Sequence, residues 1–112
     1  MYTINVVNKR KHKSTPHDFY LGRPNIMGNR YTDKPSGTIA EVVVDSREEA
    51  IKRYADDFPG RLMEEAFRKE FMRIFDYIVV NKQANLICWC APKKCHCDVI
   101  KAHLMLLLLE TS

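Results

Sequence analysis

Apolar and polar positions alternate over "YTINVVN" at residues 2–8, and with their β-branched content they predict a first strand. "KRKHKSTP" reads as a loop. The next stretch, residues 17–37, is rich in Gly, Pro, Asn and Asp and holds only one short strand-like piece, "DFYL". A segment that long without regular structure is uncommon in a small domain unless it carries function, and its aromatic and aliphatic content argues against disorder. "TIAEVVVDS" predicts another short or edge strand. Ser46 then caps a helix, with Glu49 three residues on completing a capping box. Ala50, Ile51, Tyr54, Ala55 and Phe58 form its apolar face, and Pro59-Gly60 should end it. A longer helix from near Arg61 carries Leu62, Ala66, Phe67, Phe71, Ile74, Phe75 and Ile78 on one stripe, which reads as core. "ANLICWC" predicts a central strand. "CHCDVIKAHLMLLLLE" predicts a final helix with "LMLLLL" as a buried face.

Strand, tight loop and helix in that order are an α/β layout. We expect a short, mostly parallel sheet of about three to four strands packed by about three helices, Rossmann-like in arrangement. Ligand sites in such folds form at the carboxyl ends of strands and the N-termini of helices. The length of 112 residues suits one domain. No apolar run reaches the about 18 to 20 residues that cross a bilayer, so no membrane partner is expected. The N-terminal basic run follows the apolar one, the reverse of a secretory signal, and a cytoplasmic location is expected.

Charge is unevenly placed. Residues 1–38 hold seven Lys and Arg against Asp18 and Asp33, a balance of +5, while the remainder balances at −1. A basic first third suits a phosphate or polyanion partner, and equally a solvated loop. His12 and His17 lie in this region without a partner evident from sequence, and His103 reads as a core histidine.

The densest chemistry is "CWCAPKKCHC", residues 88–97, which gathers all four cysteines and His96. In a reducing compartment clustered thiols are more often metal-binding or catalytic than bridged, and the short spacings disfavour disulfides. On a strand Cys88 and Cys90 share a face, with Trp89 opposite. Cys95, His96 and Cys97 fall in the first turn of the last helix. Three readings follow. Cys88, Cys90, Cys95 and either His96 or Cys97 would supply the four ligands of a zinc site, though C-x-C with C-H-C is not the usual knuckle spacing. Alternatively Cys95, at a helix N-terminus beside Lys93 and Lys94, would be an activated thiol with His96 as its acid/base partner. The third reading is packing, since cysteine is among the most buried residue types.

Two stretches, "HDFYLGRPNIMGNRY" and "LICWCAPKKCHCDVI", resemble the two ends of an uncharacterised family of bacterial and phage proteins, domain of unknown function 4326. The matching positions are Tyr20, Gly22, Arg23, Pro24, Gly28 and Asn29, then Cys88, Trp89, Cys90, Pro92, Cys95, His96, Asp98 and Val99. Cys97 stands where the family pattern has a small residue, and Arg30-Tyr31 where it has Pro-Phe. The resemblance implies that Tyr20, Gly22, Arg23, Gly28 and Asn29 form a ligand-binding loop suited to a phosphate or carboxylate. Folded over the end of the Cys88 strand, that loop would meet Cys95 and His96 in one mixed site. Two functions are then expected as alternatives. One is an enzyme acting on a nucleotide, nucleoside or other phosphorylated metabolite. The other is a non-enzymatic module that binds nucleic acid or, if phage-encoded, a host protein, with the cysteines as a structural zinc site.

Overall fold

The two-residue period of the first segment becomes β1 (Thr3–Asn8) in the computed structural model, which describes residues 1–33 and 42–111. The remaining elements are β2 (Asp18–Tyr20), β3 (Tyr31–Thr32), β4 (Val42–Val43), α1 (Arg47–Arg61), α2 (Glu65–Asn81), β5 (Gln83–Cys88) and α3 (His96–Thr111). The main sheet has the order β1-β5-β2, and both pairings are parallel. Among the described residues β3 and β4 form a second, two-stranded parallel ladder. The small, mostly parallel α/β domain expected from the sequence is the fold observed. Residues 38–41 of the strand expected over residues 38–46 lie outside the described residues, and its described part is short.

β5 is central because its apolar run can be covered where an alternating strand could not. Ala84, Leu86 and Cys88 share one face with Ile4 of β1 and Phe19 of β2, and all five are buried. The other face carries a polar rung, in which Asn5 Nδ2 donates to Asn85 Oδ1 at 3.1 Å and Asn85 Nδ2 donates to Asp18 Oδ1 at 3.1 Å. Asp18 also accepts from the Thr15 backbone N–H and from His12 Nε2, each at 2.9 Å, so it binds the basic loop to the sheet. His17 is hydrogen-bonded to the Tyr77 hydroxyl on α2.

Helix α1 starts where its cap predicts, with Ser46 accepting from the Glu49 N–H at 3.1 Å. The reciprocal half of the capping box is absent, because the Glu49 carboxylate pairs with Arg53 at 2.9 Å instead. The expectation that Pro59-Gly60 ends the helix is corrected: both lie inside it, and it runs to Arg61. A proline in the last turn forfeits a single N–H there, and the buried Phe58 side chain pins the turn before it. The Leu62 N–H then closes on the Phe58 carbonyl at 3.0 Å.

The second helix begins at Glu65, not near Arg61, because α1 extends to that residue. Helix α2 buries Phe67, Phe71, Ile74, Phe75 and Ile78, as its stripe predicts, while Ala66 is exposed and Leu62 packs against the core from the turn between the helices. Lys82, at φ 65, ends it in the left-handed conformation that often terminates helices. In α3 only part of "LMLLLL" is buried. Leu104 and Leu108 face the core, whereas Met105, Leu106 and Leu109 are 37%, 56% and 71% exposed. A run of consecutive apolar residues cannot all lie on one side of a helix with about 3.6 residues per turn. No helix among the described residues is long and apolar enough to cross a membrane.

Candidate functional site

The loop between β2 and β3 is hydrogen-bonded throughout its tight turns. The Asn25 N–H donates to the Gly22 carbonyl at 2.9 Å, the Gly28 N–H to the Asn25 carbonyl at 2.8 Å, and the Met27 N–H to Asn25 Oδ1 at 2.8 Å. Met27, fully buried, plugs the loop into the core, and its carbonyl accepts from the Tyr54 hydroxyl at 2.7 Å. Arg23 Nη1 donates to the Asn29 carbonyl at 2.6 Å, and the Asn29 side chain donates to the Ala50 carbonyl while accepting from the Tyr31 N–H. Both prolyl bonds flanking this region, Arg23–Pro24 and Ala91–Pro92, are cis.

This loop meets the end of β5 in a cleft of about 410 Å³, which brings together the two ends of the chain that the sequence analysis singled out. Tyr20, Gly22, Arg23 and Asn29 line it from one side of the sequence, and Cys88, Cys90, Cys95 and His96 from the other. Gly28 is not on the cleft wall; it lies within the turn, where an added Cβ would be 2.9 Å from the Arg23 backbone nitrogen. Trp89, Tyr31, Asp33 and Arg47 are also in the lining. Of these, Arg47 was missed by sequence reasoning. It sits in the first turn of α1, where a cation opposes the helix dipole, and that mismatch was the readable signal. Arg47 Nη1 donates to Cys90 Sγ at 3.4 Å, and Nη2 to the Lys94 carbonyl.

The cysteines divide by environment. Strand β5 ends at Cys88, so Cys90 follows in a bend and remains half-exposed. Cys95 precedes α3, where its N–H donates to Asp98 Oδ2 at 2.9 Å and caps the helix. Cys95 is 3% exposed, and its thiol donates to Cys88 Sγ at 3.2 Å. With Cys88, Cys90 and Cys97 all engaging it, the Cys95 thiol is pushed far above the ordinary range. The sulfur favoured as thiolate is Cys88 instead, which accepts from the Cys95 thiol and is held well below the ordinary thiol range by the neighbouring Cys95 and Cys97 thiols against the opposing effect of burial. The Cys90 thiol is pushed down to about 6, first by a hydrogen bond from Cys95, against the opposing effect of burial, and then by Arg47.

Cys88, Cys95 and Cys97 bring their sulfurs within 4.8 Å of one another, a group that could hold a metal ion. Cys97, the cysteine that the sequence analysis set apart, therefore belongs to the cluster. His96 does not: it is buried, and its Nε2–H donates to the Leu21 carbonyl at 2.6 Å. Burial pushes the imidazole below its ordinary value. His103 stacks on Phe58 with ring centroids 4.1 Å apart, the core role expected of it.

Fold and site together define a small parallel α/β domain with a thiol-floored cleft at the carboxyl edge of its sheet. Residues 4–105 match the family model described as domain of unknown function (DUF4326), and the chain belongs to that family. No curated protein and no solved structure matches it.

Proposed function

We propose that the protein binds a nucleotide or another phosphorylated metabolite in this cleft. The observation that carries the reading is that two guanidinium groups, Arg23 and Arg47, line one cavity together with the aromatic side chains of Tyr20 and Trp89. A guanidinium offers five N–H donors in a fork that matches phosphate, and the loop contacts of Arg23 run through its Nη1. The cavity size falls in the range of small-molecule sites, about 300 to 1,000 Å³. In this reading Gly22, Gly28 and Asn29 shape the loop, and Cys95 and His96 hold the floor and roof in place instead of reacting. Thermal shift and calorimetric titration with nucleoside mono-, di- and triphosphates and with inorganic phosphate test it. Saturable binding that weakens about tenfold or more in Arg47→Gln is the expected result. Equal, weak stabilisation by every anion, unaffected by Arg47→Gln, would remove it.

A second reading concerns the cysteines alone: they hold one zinc ion, ligated by Cys88, Cys95 and Cys97 and closed by Cys90. What supports it is the convergence of three sulfurs within 4.8 Å of one another. Zinc takes four soft or borderline ligands, and sulfur ligands stand at about 2.3 Å from it. Arg47 at Cys90 would offset part of the negative charge of four thiolates. Elemental analysis of protein purified without chelators is the test, with one zinc per chain expected. A metal-free protein with four titratable thiols would leave the cluster as hydrogen-bonded thiols.

A further inference from the structure

At the rim of the cleft, Tyr20 and Trp89 adjoin a run of cations that metabolite binding leaves unused. Trp89 is 50% exposed, yet it is held in place from two directions. Its Nε1–H donates to the Tyr20 hydroxyl at 2.8 Å, and its backbone carbonyl accepts from Asn8 Nδ2 at 3.1 Å. The two rings meet edge to face, with centroids 6.5 Å apart. The basic loop is fastened next to them: the Lys9 N–H donates to the Cys88 carbonyl at 2.8 Å and the Arg10 N–H to Asn8 Oδ1 at 2.9 Å. Lys9 Nζ lies 5.3 Å from the centre of the Tyr20 ring, and the Arg10 guanidinium carbon 5.6 Å from that of Trp89. Lys9, Arg10, Lys11 and Lys13 are all exposed, and among the described residues no carboxylate forms an ion pair with any of them.

We propose that the cleft is the closed end of a longer track, and that its ligand is a single-stranded nucleic acid. The terminal nucleotide occupies the cleft, a base stacks at the Trp89–Tyr20 rim, and the following phosphates lie along residues 9–13. This rests on the reading that the cleft takes a nucleotide, and it names the polymer as the source. A rigid aromatic surface flanked by unneutralised cations is what non-sequence-specific single-strand binding requires, because every base has a face to stack and every nucleotide a phosphate to neutralise. A free metabolite would use the two arginines of the cleft and leave the four cations outside it without a counter-charge.

Trp89 is the chain's single tryptophan, so its emission reports directly on the rim. The experiment titrates the whole protein with thymidine 5′-monophosphate and with a 5′-phosphorylated oligothymidylate of about eight nucleotides, within the usual single-strand site sizes. Both titrations are repeated over a series of sodium chloride concentrations. The expected result is quenching by both, with the oligonucleotide at least about tenfold tighter and its affinity falling with salt by a log–log slope of about 0.7 per phosphate neutralised. The double variant Lys9→Ala/Arg10→Ala, altered only at exposed positions and checked for an unchanged circular dichroism spectrum, should lose the oligonucleotide's advantage and keep monophosphate binding. If the monophosphate binds as tightly as the oligonucleotide, or the salt slope is the same in the double variant, the track is wrong and the cleft reading stands. If neither ligand binds, both fall together.

Discussion

His96 and Leu21 are joined across the end of the sheet: the imidazole Nε2–H of one donates to the carbonyl oxygen of the other at 2.6 Å, and both residues are buried. The bond connects the first residue of α3 to the start of the loop that walls the cleft. Removing it leaves a buried carbonyl without its donor. His96→Ala should therefore lower stability by about 1–3 kcal/mol, measured by urea denaturation, and should loosen the loop that carries Arg23. An unchanged midpoint would show that the contact contributes nothing.

The same imidazole makes stability depend on pH. Burial holds it below its ordinary value, reinforced by the nearby Arg23 charge and opposed by the Leu21 carbonyl, Cys88 and Asp98. Burial acts on His103 in the same direction. In the unfolded chain these histidines titrate near the ordinary value of 6.5, so below that pH the unfolded state binds more protons than the folded one. Their contribution is full above that pH and declines as the pH falls through it. The urea midpoint should drop between about pH 7.5 and pH 5.5, and less so in His96→Gln. Parallel profiles for the two proteins would assign the dependence elsewhere.

Cys97 gives the metal reading a sharp edge. It is fully buried and supplies one of the three convergent sulfurs. Cys97→Ala should keep the fold at a cost of about 1–2 kcal/mol for the small cavity, while the zinc content falls below half of the parent's. Zinc retained at the parent level would place the metal on Cys88, Cys90 and Cys95 alone.

Gly22 and Gly28 should respond differently to the same change. A Cβ at Gly22 collides with the hydroxyl end of the Tyr20 side chain, which can swing away. Gly22→Ala should thus shift Trp89 emission, because the Tyr20 hydroxyl accepts its indole N–H, and leave the melting temperature nearly unaltered. At Gly28 the Cβ would sit 2.9 Å from the Arg23 nitrogen and 3.0 Å from the Asn25 oxygen, both backbone atoms. Gly28→Ala should cost about 1–3 kcal/mol, read as a lowered melting temperature. The opposite ranking would contradict this loop packing.

Much of this architecture is legible in the chain because local rules and tertiary packing agree. Period-two alternation places β1, the short, mainly apolar segment bounded by polar residues places β5 at the centre, and Ser46 marks the start of α1. The failures have a common origin in context. Pro59 looks like a stop, but one lost N–H in a final turn is outweighed by the burial of Phe58. The leucine run of α3 has no period, so composition could not say which residues face the core. In the site, proximity of the two motifs was readable as a pair of motifs flanking a strand end. Which sulfur carries the proton was not. The helix-dipole argument favoured a thiolate at Cys95, whereas the neighbouring sulfurs make its thiol a donor to Cys88. Likewise His96 appeared as a chemical group, and its geometry is that of a fastening.

The position of β5 also governs when the domain can exist. Among the described residues β1 and β2 meet only through it, so neither gains this sheet partner until residues 83–88 have left the ribosome, some sixty or more residues later. Closing loops that long before any strand pairing is gained slows folding, and leaves the early strands with open edges in the meantime. The strand that carries Cys88 to the cleft is therefore also the one whose arrival turns the earlier chain into a sheet. A nascent chain halted before residue 83 should stay susceptible to protease over β1 and β2, and one extended past α3 should not.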